Sequence, residues 1–289
     1  MVFDFSIWNF AYKRNSMNNS DTTKRPTTKL MKGILSVKEK QVLSPHYTRV
    51  ILEGDDISNF EWAQVGDNNK IIVPKDKNTP IHLPEKGLGA AGEEKPVVRT
   101  YTLRDLDLNE GEMVVDFVTH GKNGLASKWA IEAEKGDQLG VLMKEKGKVL
   151  FESADFYVFV GDHTALPVIS VMLEQLPADA MGKVIIEVYD EADVLQLQKP
   201  AGVELIWAFN DEPGKTSALP HQVAQLEFPE DKSRFVFVAA EYAASKFIVN
   251  MLRDNFNLKR NEFRSTSYWK YGQDEEDSRA TRSEAAHRG

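Results

Sequence analysis

The chain has 289 residues, 42% of them apolar, and a formal net charge of −8; this length predicts two domains with real cores, and the acidic balance argues against general attraction to nucleic acid or anionic membrane. The absence of cysteine excludes disulfides, thiol chemistry and thiolate-held iron–sulfur clusters. No run of about 18 apolar residues offers a membrane span, and no H-E-x-x-H pattern links the six histidines, so no protein-held metal is expected.

Residues 1–30 read as a flexible extension. The opening MVFDFSIWNFAYKRNS is a poor secretory leader, with an acidic start and no small-residue cleavage site. Met17 is a possible internal start, and the cytoplasm is the expected compartment. From 31 to 150 short β-branched runs alternate with Gly, Pro, Asn and Asp: YTRVILEG (47–54), KIIVP (70–74), VVRTYTLR (97–104) and EMVVDFVTH (112–120). Five or six such strands and one helix, LASKWAIEAEKG (125–136), predict a small antiparallel β-barrel.

From 151 to 272 the rhythm changes. FYVFVG, KVIIEVY, VELIWAF and RFVFVAA are continuous apolar runs, as expected of parallel strands buried on both faces, and TALPVISVMLEQL and YAASKFIVNMLRDNF carry helical spacing. This predicts an α/β domain with its ligand crevice beyond the carboxyl ends of the strands. The aromatic segment FRSTSYWKYG (263–272) follows, and 273–289 reads as a charged, flexible tail.

Three stretches are candidates for chemistry. Arg99, Thr100, Tyr101, Thr102 and Arg104 alternate along one strand, which by itself fits a solvated edge as well as a ligand cradle in which arginine holds phosphate and tyrosine packs on a flat ring. HGKNGLASKW opens a helix after Gly124, where backbone amides favour an anion. VGDHTALPVI runs from a buried strand through Gly161 into a helix with Pro167 in its first turn, the strand–turn–helix arrangement of dinucleotide sites, although G-x-G-x-x-G is absent. Glu187, Asp190 and Glu191 follow the next strand, near the spacing at which a carboxylate meets a ribose hydroxyl; solvated loop charge is the competing reading. His120 and His163 read first as hydrogen-bonding partners, and SYWK as part of a ligand-facing wall.

Taken together, RTYTLR, DFVTHGKNGLASKWA, VGDHTALPVI and YWKYGQDEE resemble the siderophore-interacting proteins, flavin-dependent ferric-siderophore reductases of the ferredoxin reductase-like superfamily, over about residues 30–275. The resemblance implies an FAD-binding barrel followed by an NAD(P)H-binding α/β domain, in a monomer. By matching position, Arg99, Thr100, Tyr101 and Thr102 would hold FAD, Gly124, Ala126 and Ser127 would lie near its pyrophosphate, and Val118 and His120 would line it. Gly161, Asp162, Thr164, Ala165 and Pro167 match the nicotinamide loop, and Tyr268 and Trp269 the aromatic segment closing the site. Lys70, Lys128, Lys259 and Arg264 are the candidates for attracting an anionic ferric siderophore.

This chain departs from the family pattern at His163, where glutamate is usual, and at Leu125, where proline is usual. The implied activity is transfer of electrons from NADH or NADPH through FAD to siderophore-bound Fe(III). Glu187 and Asp190 tilt the expectation toward NADH, because they would repel a 2′-phosphate. A flavin reductase serving a separate carrier protein and a non-catalytic siderophore binder are the competing readings.

Overall fold

A computed structural model describes residues 29–77, 79–85, 97–121, 124–147 and 149–273. The expectations for most of the N-terminal extension and the C-terminal tail lie outside these residues. Six antiparallel strands close into a barrel: β1 (Leu30–Ser44), β2 (Tyr47–Glu53), β3 (Asn68–Ile72), β4 (Val98–Asp107), β5 (Glu112–Val118) and β6 (Gln138–Lys144), in the order β1-β2-β5-β4-β3-β6. Helix α1 (Leu125–Glu132) lies between β5 and β6.

Alternation sets the interior. Met31, Leu35 and Val37 of β1 point inward with Val50 and Leu52 of β2 and Met113, Val115 and Phe117 of β5. β1 starts at Leu30, several residues before the sequence pattern becomes clear, and it pairs with β6 from Leu30↔Lys144 onward to close the cylinder. One irregularity bears on the site. In the β4–β5 ladder Leu103 opposes Val115 and Asp105 opposes Val114, so Arg104 is the extra residue of a bulge.

The second domain is a fully parallel five-stranded sheet of β7 (Phe156–Asp162), β8 (Gly182–Val188), β9 (Val203–Phe209), β10 (Arg234–Glu241) and β11 (Phe263–Trp269), in the order β11-β10-β7-β8-β9. Helices α2 (Leu166–Gln175), α3 (Leu219–Ala224) and α4 (Tyr242–Asp254) cover it. The apolar runs do bury both faces: Tyr157 and Phe159 enter one core, Val158 and Val160 the other. Because the chain moves from β7 outward to β9 and then returns to place β10 on the other side of β7, the strand order reverses between β7 and β10. A ligand crevice is expected outside the carboxyl ends of those two strands.

The domains share a core. Tyr47 of the barrel is buried with α2 and β7 residues, and Leu43 and Val118 pack against the same cluster. Among the described residues no helix is long and apolar enough to cross a membrane.

Candidate functional site

The arginine strand splits by alternation. Tyr101 packs at the barrel core, its ring 4.4 Å from that of Phe117, which lies 5.7 Å from Trp129 of α1. Arg99 is half-buried on the same side, its Nη1 donating to the Val98 carbonyl at 3.0 Å. Thr100 and Thr102 take the other side. Thr100 accepts from Lys70 Nζ, and Thr102 is buried and hydrogen-bonded to Tyr268 of β11. Burial pushes the Tyr268 phenol well above its ordinary range, so it stays a neutral donor or acceptor.

Arg104, on the side of Thr100 and Thr102, does different work. It binds Glu174 at the end of α2 and lies 3.8 Å from Asp116, which is buried and paired to Arg49 by bonds of 2.8 and 2.9 Å. It therefore braces the barrel against the α/β domain.

The second segment also divides. Ser127 accepts from the His120 amide at 3.0 Å and donates to the Gly121 carbonyl at 2.6 Å, so its hydroxyl shapes the loop before α1. His120 is exposed and Ala126 buried. Gly124 is the N-cap of α1, with no side chain capping it, and a Cβ there would come within 2.9 Å of the His120 ring. The helix start is thus an uncapped set of amides behind a residue that must be small, which suits a phosphate. Along α1, Leu125, Lys128, Trp129 and Glu132 line a cavity of about 420 Å³ together with Asp76, Lys77 and Asp137. The free amides at the α1 start suit a phosphate and the Tyr101 ring, which reaches α1 through Phe117 and Trp129, suits a flat ring, so this part of the barrel fits FAD.

At the β7–β10 reversal Gly161, Asp162, Thr164, Ala165 and Pro167 come together. A Cβ on Gly161 would meet Ala165 at 2.5 Å and the Ala239 carbonyl at 2.9 Å, so glycine is what lets this turn lie on the sheet. Asp162 is 6% exposed and accepts from Thr164 N at 2.9 Å and its hydroxyl, from Glu241 N at 2.8 Å and from Trp269 Nε1 at 2.8 Å. Burial pushes its pKa up, against the bonds from Thr164 and Trp269. Glu241, which sequence reasoning missed, caps α4 through Ala243 N and Ala244 N. Of the amides expected to receive a dinucleotide phosphate, that of Thr164 is therefore met by a carboxylate of the chain itself.

One sequence expectation needs correction. Glu187 does not face a ribose: it is buried and accepts from Asn210 Nδ2 at 3.1 Å, Ser217 Oγ at 2.9 Å and Ala218 N. Asp190 caps Ala192 N at 2.8 Å. The charge argument for NADH loses its stronger member. Lys259 and Arg264 lie at the amino-terminal end of β11, and the five residues from Arg264 to Trp269 span about 17 Å of strand. Arg264 is tied to the Val149 and Leu150 carbonyls at 2.7 and 2.8 Å. These two cations therefore stand at the end of β11 away from Tyr268 and Trp269.

His163, beside the crevice, is 6% exposed, and its Nε2 has no hydrogen-bond partner. Burial lowers its pKa to about 4, with His46 working in the same direction and Asp193 and Asp190 against it; Tyr189 packs on its ring. The unfolded chain takes up this proton near pH 6.5 and the folded chain only near 4, so stability is lost as pH falls through that window. His163→Gln should remove about 2 kcal/mol of the stability difference between pH 7.5 and pH 5. Thermal denaturation of both proteins at the two pH values checks this; parallel losses would show that another group titrates.

Residues 36–146 match the model of the siderophore-interacting FAD-binding domain, and residues 154–272 that of the siderophore-interacting protein. The chain belongs to the siderophore-interacting protein family. Ferric vibriobactin reductase ViuB of Vibrio cholerae is 32% identical over 84% of this chain and 91% of its own length. The NADPH-dependent ferric-chelate reductase of Escherichia coli K12 is 26% identical over 81% of this chain and 91% of its own. The crystal structure of the siderophore-interacting protein SipS from Aeromonas hydrophila superposes with a TM-score of 0.77 at 30% identity, covering 89% of this chain and 98% of that one. This siderophore-interacting protein is accordingly an FAD-dependent oxidoreductase.

Proposed function

We propose that the protein is a cytoplasmic, monomeric ferric-siderophore reductase: NAD(P)H gives up a hydride, and its two electrons reduce two siderophore-bound Fe(III) ions to Fe(II). Fe(II) binds hard oxygen donors less tightly, so reduction frees the iron. Bound FAD supplies the conversion of a two-electron donor into one-electron transfers. The observation that carries this reading is the start of α1, whose amides no side chain caps, in a barrel whose Tyr101 reaches α1 through Phe117 and Trp129 and whose Thr102 meets Tyr268 of the parallel sheet.

The residues divide the work. Residues 31–150 form the flavin domain, in which Arg99 and the amides after Gly124 hold phosphate, Tyr101 offers a flat surface, and Thr100 and Thr102 present hydroxyls toward the second domain. Residues 151–272 form the nicotinamide domain, with Gly161 to Pro167 at its crevice. Tyr268 and Trp269 close the gap between the two by binding Thr102 and Asp162. Lys70 and Lys128 lie on the same barrel and give an acidic protein local positive charge for an anionic chelate. With no cysteine in the chain, electrons leave the flavin for the ferric complex directly. The test is whether ferric vibriobactin reoxidises the reduced protein with no carrier protein added. A requirement for a carrier would favour the flavin-reductase reading, and binding without turnover the non-catalytic one.

A further inference from the structure

One buried carboxylate joins the two domains next to the crevice. Asp193 ends a single turn of 3-10 helix (Glu191–Asp193) after β8, and its side chain is fully buried. Oδ1 accepts from Ser44 Oγ at 2.6 Å and from the His46 amide at 3.0 Å, while Oδ2 lies 2.7 Å from His46 Nδ1. Ser44 ends β1 and His46 lies in the turn to β2; His163 Nε2 of the second domain stands 3.6 Å from Oδ2. Burial works against the ionised form, but the bonds from Ser44 and His46 outweigh it and leave the carboxyl below its usual range. The His46 ring stacks on Tyr189 at 4.2 Å, and Tyr189 packs on His163 at 4.8 Å. His163 begins the turn after β7 and Tyr189 follows β8. The barrel turn is thus fixed to the carboxyl ends of β7 and β8, of which β7 bounds the crevice.

Location separates this contact from ordinary interdomain packing. The Arg104–Glu174 pair sits at the far end of α2, whereas Asp193 acts at the carboxyl end of β8, next to β7, one of the two strands at which the order reverses. Transfer between two bound groups depends steeply on their approach, and a misplacement of about 1 Å costs on the order of 10²-fold in rate. We infer that Asp193 is a positioning residue for electron transfer from NAD(P)H to the flavin, holding the carboxyl ends of β7 and β8 against the barrel through Ser44 and His46. This rests on the reading of NAD(P)H as donor.

The test uses the full FAD-loaded chain as wild type, Asp193→Asn and Ser44→Ala. Asparagine keeps one acceptor oxygen but sets an NH2 group against donors; alanine removes one donor of the three. Hydrogen–deuterium exchange of peptides covering 44–47 and 191–194 should be faster in Asp193→Asn. In anaerobic stopped flow, flavin reduction by NADH or NADPH should slow by roughly tenfold or more, with Ser44→Ala in between. Reoxidation by ferric citrate should match wild type, because the acceptor meets the flavin on the barrel. Unchanged exchange, reduction within twofold of wild type, or equal slowing of reduction and reoxidation would each overturn the inference. If neither nucleotide reduces the wild-type protein, the donor reading fails and takes the inference with it; reduction of wild type with an unaltered variant overturns the inference alone.

Discussion

Replacing Asp162 with alanine is expected to destabilise the protein by about 3–5 kcal/mol, since each buried donor left without a partner costs about 1–3 kcal/mol. Four donors converge on this carboxylate: the amide and hydroxyl of Thr164, the Glu241 amide and the Trp269 indole. They come from the turn after β7, the end of β10 and the end of β11, so one side chain ties together the three strands that frame the crevice. The change leaves all four without their acceptor: Thr164 N and Oγ1 lose Oδ1, and Glu241 N and Trp269 Nε1 lose the Oδ2 they share. Thr164→Ala is the control. It deletes one donor and leaves the carboxylate with the others, so it should cost only about 0.5–1.5 kcal/mol. Urea denaturation followed by tryptophan fluorescence separates the two variants; equal losses would mean that Asp162 is not the tie.

Arg99→Ala should weaken FAD binding by about 10- to 100-fold, the loss of a charge-assisted bond to phosphate worth about 1.5–3 kcal/mol, while leaving the barrel folded. Arg104→Ala should do the reverse. Its guanidinium is committed to Glu174 and the Asp116 site, so removing it should loosen the domain contact and leave FAD affinity within about threefold. The two arginines sit five residues apart in one motif, and that odd spacing on a strand sends them to opposite faces and different tasks. Titration of FAD into each apoprotein, read by quenching of flavin fluorescence, decides the matter. Equal loss in both variants would place Arg104 at the cofactor as well.

Much of the architecture is legible from the chain because its physical signals are local. FYVFV cannot be a surface strand, and Tyr157 to Val160 alternate between two cores as a parallel strand must. The first half of β1 is harder to see, because Lys32 and Gly33 interrupt a pattern whose inward positions are Met31, Leu35 and Val37. What spacing does not carry is direction. Glu187 stands about where a ribose ligand would, yet Asn210, Ser217 and Ala218 turn it into the protein.

Length along a strand misleads in the same way. Arg264 and Trp269 look like one basic-aromatic cluster in sequence, but as β11 they lie at opposite ends of the sheet. The Asp193 contact is invisible at the level of motif. Ser44 and His46 lie 149 and 147 residues from their partner, and nothing but the folded chain brings them together.

The most direct measurement is anaerobic: the FAD-loaded protein is mixed with NADH or NADPH and its flavin absorbance followed, and ferric vibriobactin is then added with a chromogenic Fe(II) chelator present. The expected result is bleaching of the flavin by the nucleotide, recovery of its absorbance on addition of the ferric complex, and two Fe(II) ions trapped for each NAD(P)H consumed. A flavin that neither nucleotide bleaches, or a bleached flavin that the ferric siderophore leaves reduced, would contradict a ferric-siderophore reductase.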